Sequence, residues 1–126
     1  SDGFIVKMRE EEASTGRHLA ERVDWIAIEA SESSAWKTGI QALNHLATPV
    51  GIEAEDLNDI VFLADMQTKN GGNTASLRYQ SDADGAIMVH VEEETSQDAE
   101  TWHMIEDVGF LATNAGSHLL GEFDYA

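Results

Sequence analysis

The chain repeats part of itself, and that repeat limits what it can fold into more than any other feature. Gly3-Phe4-Ile5-Val6-Lys7-Met8-Arg9-Glu10-Glu11-Glu12 returns further along as Gly85-Ala86-Ile87-Met88-Val89-His90-Val91-Glu92-Glu93-Glu94. His18-x-x-Glu21-x-Val23-x-Trp25-Ile26-Ala27 returns as His103-x-x-Glu106-x-Val108-x-Phe110-Leu111-Ala112. The second offset exceeds the first by three, so the later copy carries a three-residue insertion between the glutamates and the histidine. Self-similarity on this scale means tandem modules, and duplication of that kind points to a binding or structural role rather than a single catalytic centre. What the two copies share is mostly acidic residues plus one histidine.

Charge narrows the partners. Twenty-four Asp and Glu against seven Lys and Arg give a net charge of −17 and a pI near 4.3. Such a surface repels nucleic acid and anionic lipid, which excludes both as partners. It suits concentrated salt, where self-repulsion is screened, or binding of divalent cations. No apolar run of about 18 residues exists, so no membrane insertion is expected. The chain opens directly into a strand-like pattern, as a processed product or an excised fragment would. With 42% apolar residues, 126 residues can bury one core or two small ones, and cysteine is absent, which excludes disulfides and zinc thiolates.

Periodicity indicates an all-β chain, an antiparallel β-sandwich built from tandem modules with an incomplete first copy. Phe4, Val6 and Met8 alternate with Ile5, Lys7 and Arg9, and Val23, Trp25 and Ala27 alternate with Asp24, Ile26 and Ile28, each a period-two strand signature. Residues 60–66 read as a buried strand, Asn70-Gly71-Gly72-Asn73 as a hairpin turn, and residues 74–80 as the partner strand. Asp82-Ala83-Asp84-Gly85 is the next turn, and residues 87–91, 108–113 and 119–125 are further strands. Trp36, Ile40, Leu43 and Ala47 sit at helical spacing before Pro49, so residues 34–47 form either a short helix or an irregular connection. Residues 96–106 fit one helical turn capped by Ser96 or Asp98. Residues 1–48 are then the C-terminal half of a first module and residues 49–126 a second, nearly complete one, with the boundary near residues 48–59.

An apolar run ending in Gln67-Thr68, a glycine turn, a strand bearing Arg78, a Gly85-led strand and the closing Val108-Gly109-Phe110-Leu111-Ala112 together resemble H-type lectin domains. The match covers most of residues 50–113 and only the latter part of a module in residues 1–29. The triple glutamate with His-x-x-Glu is also similar to modules of very large secreted proteins of aquatic bacteria, found beside calcium-dependent adhesive domains. The resemblance implies a six-stranded sandwich, a secreted or cell-surface location, glycan binding, and a homo-oligomer or a part of a longer chain. It also exposes an oddity. The first copy lacks a counterpart to residues 60–80, so its strands are expected to pair outside a conventional position: with a lost segment, with a neighbouring subunit through strand exchange, or within a shared sheet.

The shared acidic residues are the candidate chemistry. Glu12, His18 and Glu21 in the first copy correspond to Glu94, His103 and Glu106 in the second, with Asp98 in the inserted loop, and these seven are the candidate metal ligands. Carboxylates gathered around a loop suit calcium, the first candidate ion, whereas histidine suits zinc or another transition metal. The competing reading is that the histidine bonds a carboxylate or backbone carbonyl and pins the loop. Enzymatic activity is not expected, because both copies repeat the same residues and no nucleophile elbow or phosphate loop is present. Trp25 and Phe110 read as core. Tyr79, Arg78, Trp102 and Glu100 are the candidate glycan contacts, an aromatic face flanked by charged groups. Two functions remain: an extracellular carbohydrate-binding, adhesive module, and a structural spacer or filament repeat stabilised by calcium or strand exchange.

Overall fold

A computed structural model of the chain describes residues 3–14, 18–28, 36–52 and 60–115. Among them lie six strands and no helix: β1 (Trp36–Leu43), β2 (Thr48–Pro49), β3 (Ile60–Met66), β4 (Ala75–Ser81), β5 (Ile87–Glu93) and β6 (Glu106–Asn114). They make two three-stranded antiparallel sheets, ordered β1-β6-β3 and β2-β5-β4. The expected antiparallel sandwich is what forms.

Its core lies between the sheets. Leu43, Val50, Ile52, Val89, Val91, Val108 and Ala112 are buried, with Ile60, Phe62, Ala64, Met66, Ala75, Leu77, Ile87 and Phe110 packed around them. Full burial of Val89, Val91 and Val108 contributes about 1.5–3 kcal/mol each. Alternation explains the choice. On β3, Ile60, Phe62, Ala64 and Met66 are half-buried while Val61 and Leu63 face out. On β5, Val89, Val91 and Glu93 are buried, whereas His90 and Glu92 are only half-buried.

Three expectations change. The helix suggested over residues 34–47 is the strand β1, paired with β6 along its whole length from Trp36↔Thr113 to Leu43↔Glu106. Ile40, which helped create the helical spacing, is 66% exposed, while Leu43 is buried; the Phe110 ring lies over Gly39 on the adjacent strand. The helical apolar spacing is coincidental, and cross-strand pairing overrides it. The strand after the glycine turn exists, but β4 pairs with β5 rather than with β3. Residues 67–74 therefore cross from one sheet to the other instead of closing a hairpin within one. Finally, residues 96–106 form no helical turn. Asp98 accepts from the Glu100 amide and Glu94 from the Ser96 amide, local side-chain bonds that hold a loop.

The turn at 82–85 is as expected: Gly85 adopts φ +85°, its amide donates to the Asp82 carbonyl, and the Asp82 carboxylate accepts from the Asp84 and Ala86 amides. The strand anticipated over residues 119–125 lies outside the described residues.

The first copy behaves differently. Residues 3–14 and 18–28 contain no strand, and Phe4, Ile5, Val6, Met8, Val23, Trp25, Ile26 and Ile28 are all exposed. Phe4 and Trp25 pack edge-to-face at 5.1 Å. The boundary expected at 48/49 falls inside β2, and β1 upstream of it belongs to the sheet completed by β3 and β6.

Candidate functional site

At one end of the sandwich the apolar face of two strands gives way to carboxylates. Val89 and Val91 lead on β5 to Glu93, and on β6 Glu106 precedes Val108 and Ala112 on the same inward face. Between the two carboxylates stands the His103 ring. Its Nδ1 lies 2.9 Å from Glu93 Oε1 and its Nε2 lies 3.0 Å from Glu106 Oε1. Glu93, His103 and Glu106 are 7%, 2% and 1% exposed. Each ring nitrogen thus has a carboxylate oxygen within hydrogen-bond distance.

The crossover from β3 to β4 supplies the remaining donors. Thr68 Oγ1 donates to Glu106 Oε2 at 2.6 Å, and the Asn70 and Gly71 amides donate to Glu106 Oε1 at 2.7 and 2.9 Å. Asn73 Nδ2 donates to Glu93 Oε2 at 3.0 Å. Asn70 Nδ2 reaches the Ile105 carbonyl and the Asp107 amide donates to Thr68 Oγ1, fastening the crossover to the start of β6. Burial pushes the Glu106 carboxyl up, but the hydrogen bonds from Thr68, Gly71, His103 and Asn70 outweigh it and hold Glu106 below its ordinary value. Gly71 is required by contact: a Cβ there would run into the His103 ring. On the far side, the His103 carbonyl lies 3.2 Å from His45 Nδ1.

The first copy brings its equivalents together loosely. His18 Nε2 is 4.0 Å from Glu10 Oε1, and Nδ1 is 3.7 Å from Glu21 Oε1 and 2.9 Å from the Leu19 carbonyl. The Leu19 carbonyl raises the His18 pKa, desolvation opposes the shift, and the Glu10 and Glu21 carboxylates add to it. Glu10 thus plays the part of Glu93 and not that of Glu92, which aligning the triple glutamates had implied. With a one-residue slip the alternating residues of the two copies fall in phase: Phe4, Val6, Met8 and Glu10 match Ile87, Val89, Val91 and Glu93 in the sequence.

The two corners adjoin. The Glu12 amide donates to Glu94 Oε2 and the Ala13 amide to Ser96 Oγ, Thr74 Oγ1 donates to the Glu10 carbonyl, and the Arg9 guanidinium donates to the Gly72 and Asn73 carbonyls. They border a cleft of about 450 Å³ lined by Met8, Arg9, Glu10, Glu11, Glu12 and His18 on one side and Gly72, Asn73, Thr74 and Gln97 on the other. The Glu12 pKa is raised by burial and by the neighbouring Asp98, Glu93, Glu94 and Glu100 carboxylates, and its Oε1 is buried without a partner. Hydrogen bonds from Ser96 and from the Glu12 amide instead lower that of Glu94.

Of the seven candidate metal ligands, His103 and Glu106 are together in the buried bridge, His18 and Glu21 are together in the open corner, and Glu12 and Glu94 meet at the seam. Asp98 spends an oxygen on the Glu100 amide. Among the described residues no group of three His, Asp or Glu side chains is arranged to hold a metal ion. Glu93 is the residue that sequence reasoning missed in favour of Glu94, and period-two parity from Val89 and Val91 would have found it.

The four candidate glycan contacts fall into two places. Arg78 and Tyr79 lie on β4, opposite His90 and Val89. Arg78 is engaged by Glu92 at 3.1 Å, and Tyr79, 61% exposed, meets Phe62 edge-on at 5.9 Å. Glu100 and Trp102 lie in the loop after β5. Trp102, 52% exposed, packs against His45 at 5.6 Å. Because Glu93 pairs with Ala75, Tyr79 is four residues, ~13 Å, down the strand from the start of that loop.

Fold and corner together define a small antiparallel sandwich fastened at one end by a buried carboxylate–imidazole–carboxylate bridge. In sequence the chain is similar to halomucin of Haloquadratum walsbyi, 32% identical over 127 residues, an alignment covering 96% of this chain and 1% of halomucin's length. No family model and no solved structure matches. Among the described residues no helix is long and apolar enough to cross a membrane.

Proposed function

We propose that this chain is a non-catalytic structural unit of a much longer acidic polypeptide, secreted or displayed at a cell surface, and that it is adapted to concentrated salt. The observation that carries the reading is the Glu93–His103–Glu106 bridge. The histidine that burial and carboxylate neighbours could have made reactive is held from both nitrogens, and each carboxylate receives further donors from the crossover. A group so saturated acts as a fastener. The net charge of −17 supports the salt adaptation, and the similarity to a small fraction of halomucin, whose name marks it as a mucin, supports the setting.

Thermal unfolding across a sodium chloride series tests it. Raising salt from 0.1 to 1 M shortens the screening length from about 10 to about 3 Å, so repulsion among the carboxylates fades and the melting temperature rises by several degrees. A flat or falling melting temperature would refute the adaptation. Millimolar calcium at fixed ionic strength separates screening from a specific ion: a further rise would make calcium a structural component of the acidic loops.

One observation favours a second reading, the lectin-like, adhesive one. The Trp102 face, half exposed beside His45 and two residues from Glu100, offers a surface on which a sugar ring can stack with hydroxyl acceptors near it. Glycan-array binding that Trp102→Ala abolishes would establish it, and binding unaffected by that change would remove it.

A further inference from the structure

In the closed corner the chemistry divides cleanly between two parts of the chain. Residues 85–113 supply the two carboxylates and the ring, while residues 36–81 supply the donors that saturate the carboxylates (Thr68 Oγ1, the Asn70 and Gly71 amides, Asn73 Nδ2) and the second half of each sheet. The first part is an acceptor half and the second a donor half. Residues 3–28 repeat the acceptor half: Glu10, His18 and Glu21 for Glu93, His103 and Glu106, and Val23, Trp25 and Ala27 for Val108, Phe110 and Ala112. Nothing in residues 3–28 repeats the donor half.

Structure bears out that imbalance. Val89, Val91 and Val108 are at most 1% exposed under their donor half, whereas Phe4, Val6, Val23 and Trp25 are 57%, 51%, 43% and 64% exposed. The ring-to-carboxylate distances are 2.9 and 3.0 Å where the crossover is present, against 3.7 and 4.0 Å where it is absent. Residues 3–113 thus hold one donor half and two acceptor halves.

We infer that residues 3–28 are the docking surface for another copy of the β1–β4 segment, carried by a further repeat of the same kind. Docking pairs that segment with residues 4–10 and 22–28, covers Phe4 and Trp25, and brings a Thr68-to-Asn73-type crossover onto Glu10 and Glu21. The fit is one of chemistry as well as shape: the loosely held Glu10 and Glu21 carboxylates receive a segment whose hydroxyl, amides and carboxamide are arranged for two carboxylates. In halomucin the aligned stretch is 1% of the length, so the relative has ample further chain from which such a segment could come. This inference rests on the internal repeat and the corner geometry, and stands whether or not the salt adaptation does.

The test is an extended chain carrying a second copy of residues 29–84 ahead of Ser1, compared with the 126-residue chain by hydrogen–deuterium exchange. Amides of residues 4–10 and 21–28 exchange quickly in the short chain and should slow on the order of a hundredfold in the extended one, with β5 and β6 equally protected in both. Glu21→Ala in the extended chain should return the first module to fast exchange and leave the second untouched. Unprotected amides at 4–10 and 21–28 in an extended chain whose β5 and β6 remain protected would overturn the docking. Protection that Glu21→Ala leaves intact would overturn the role given to the corner.

Discussion

The same Glu, His and Glu appear twice in this chain, and one set is a buried bridge while the other is an exposed, loosely spaced cluster. His103 is 2% exposed and within 3.0 Å of both carboxylates, whereas the His18 side chain is 29% exposed and no nearer than 3.7 Å to either. The acidic motif does not build its own corner. What closes it is the crossover at residues 67–73, which brings backbone amides and short polar side chains to carboxylates that would otherwise repel each other. Desolvating carboxylates beside an imidazole ring is costly, and only a full set of donors offsets the cost.

The sharpest way to break this contrast is to remove matching carboxylates. Glu106→Ala strands the imidazole and three crossover donors in a dry site and should cost about 3–5 kcal/mol in chemical denaturation. Glu21→Ala should leave the denaturation midpoint where it is. Equal losses would mean that the corners are energetically alike, contrary to their geometry.

A smaller effect is expected from the glycines of the crossover. Gly71→Ala drives a methyl group into the His103 ring and should cost about 1–3 kcal/mol, while Gly72→Ala, which meets nothing within 4 Å, should stay within about 0.5 kcal/mol of the parent.

Acidity should separate the corners by sign. Glu106 is held below its ordinary 4.5, so its contribution is complete above that value and is lost as pH falls through the lower folded one. His18 is raised above 6.5, so its contribution is present below that and is lost as pH rises through the higher folded value. Unfolding free energy should therefore fall below about pH 4.5 in the parent and less so in Glu106→Gln. A His18 ring resonance in NMR should titrate above 6.5, and Glu10→Gln should bring its midpoint down. A His18 midpoint that Glu10→Gln leaves unchanged would show that Glu10 does not act on it.

The smallest change in stability belongs to the exposed aromatics. Trp102→Ala should shift unfolding by no more than about 0.5 kcal/mol, because half of its surface is already in water and its ring neighbour His45 is polar. A larger loss would make Trp102 part of the fastening instead of a free face.

Much of the second module is legible residue by residue. Alternation at 60–66, 87–91 and 108–113 marks β3, β5 and β6, and Asp82 to Gly85 marks its turn, because local propensity and burial agree there. Residues 36–43 mislead: Ile40 points outward on β1, and its spacing from Trp36 and Leu43 mimics a helix. The sheet that β4 joins is not readable either, since a glycine turn between two strands reads alike whether it closes a hairpin or crosses between layers. In the site, the repeat points to His103 and Glu106 but to Glu94 where the fold uses Glu93. Thr68, Asn70 and Asn73 carry no signal, because they read only as a turn and lie far along the chain from the carboxylates they serve.

By itself the sequence determined an all-β chain with a −17 charge, a duplicated acceptor half, and the residue types from which an acidic corner could be made. Those properties are local or additive, so order and composition carry them. Only the tertiary structure decided which copy closes, which glutamate of three faces the ring, and where the missing donors come from. Hydrogen-bond donors reach a buried carboxylate only after the chain has passed from one sheet to the other, and that passage depends on contacts between residues far apart in sequence.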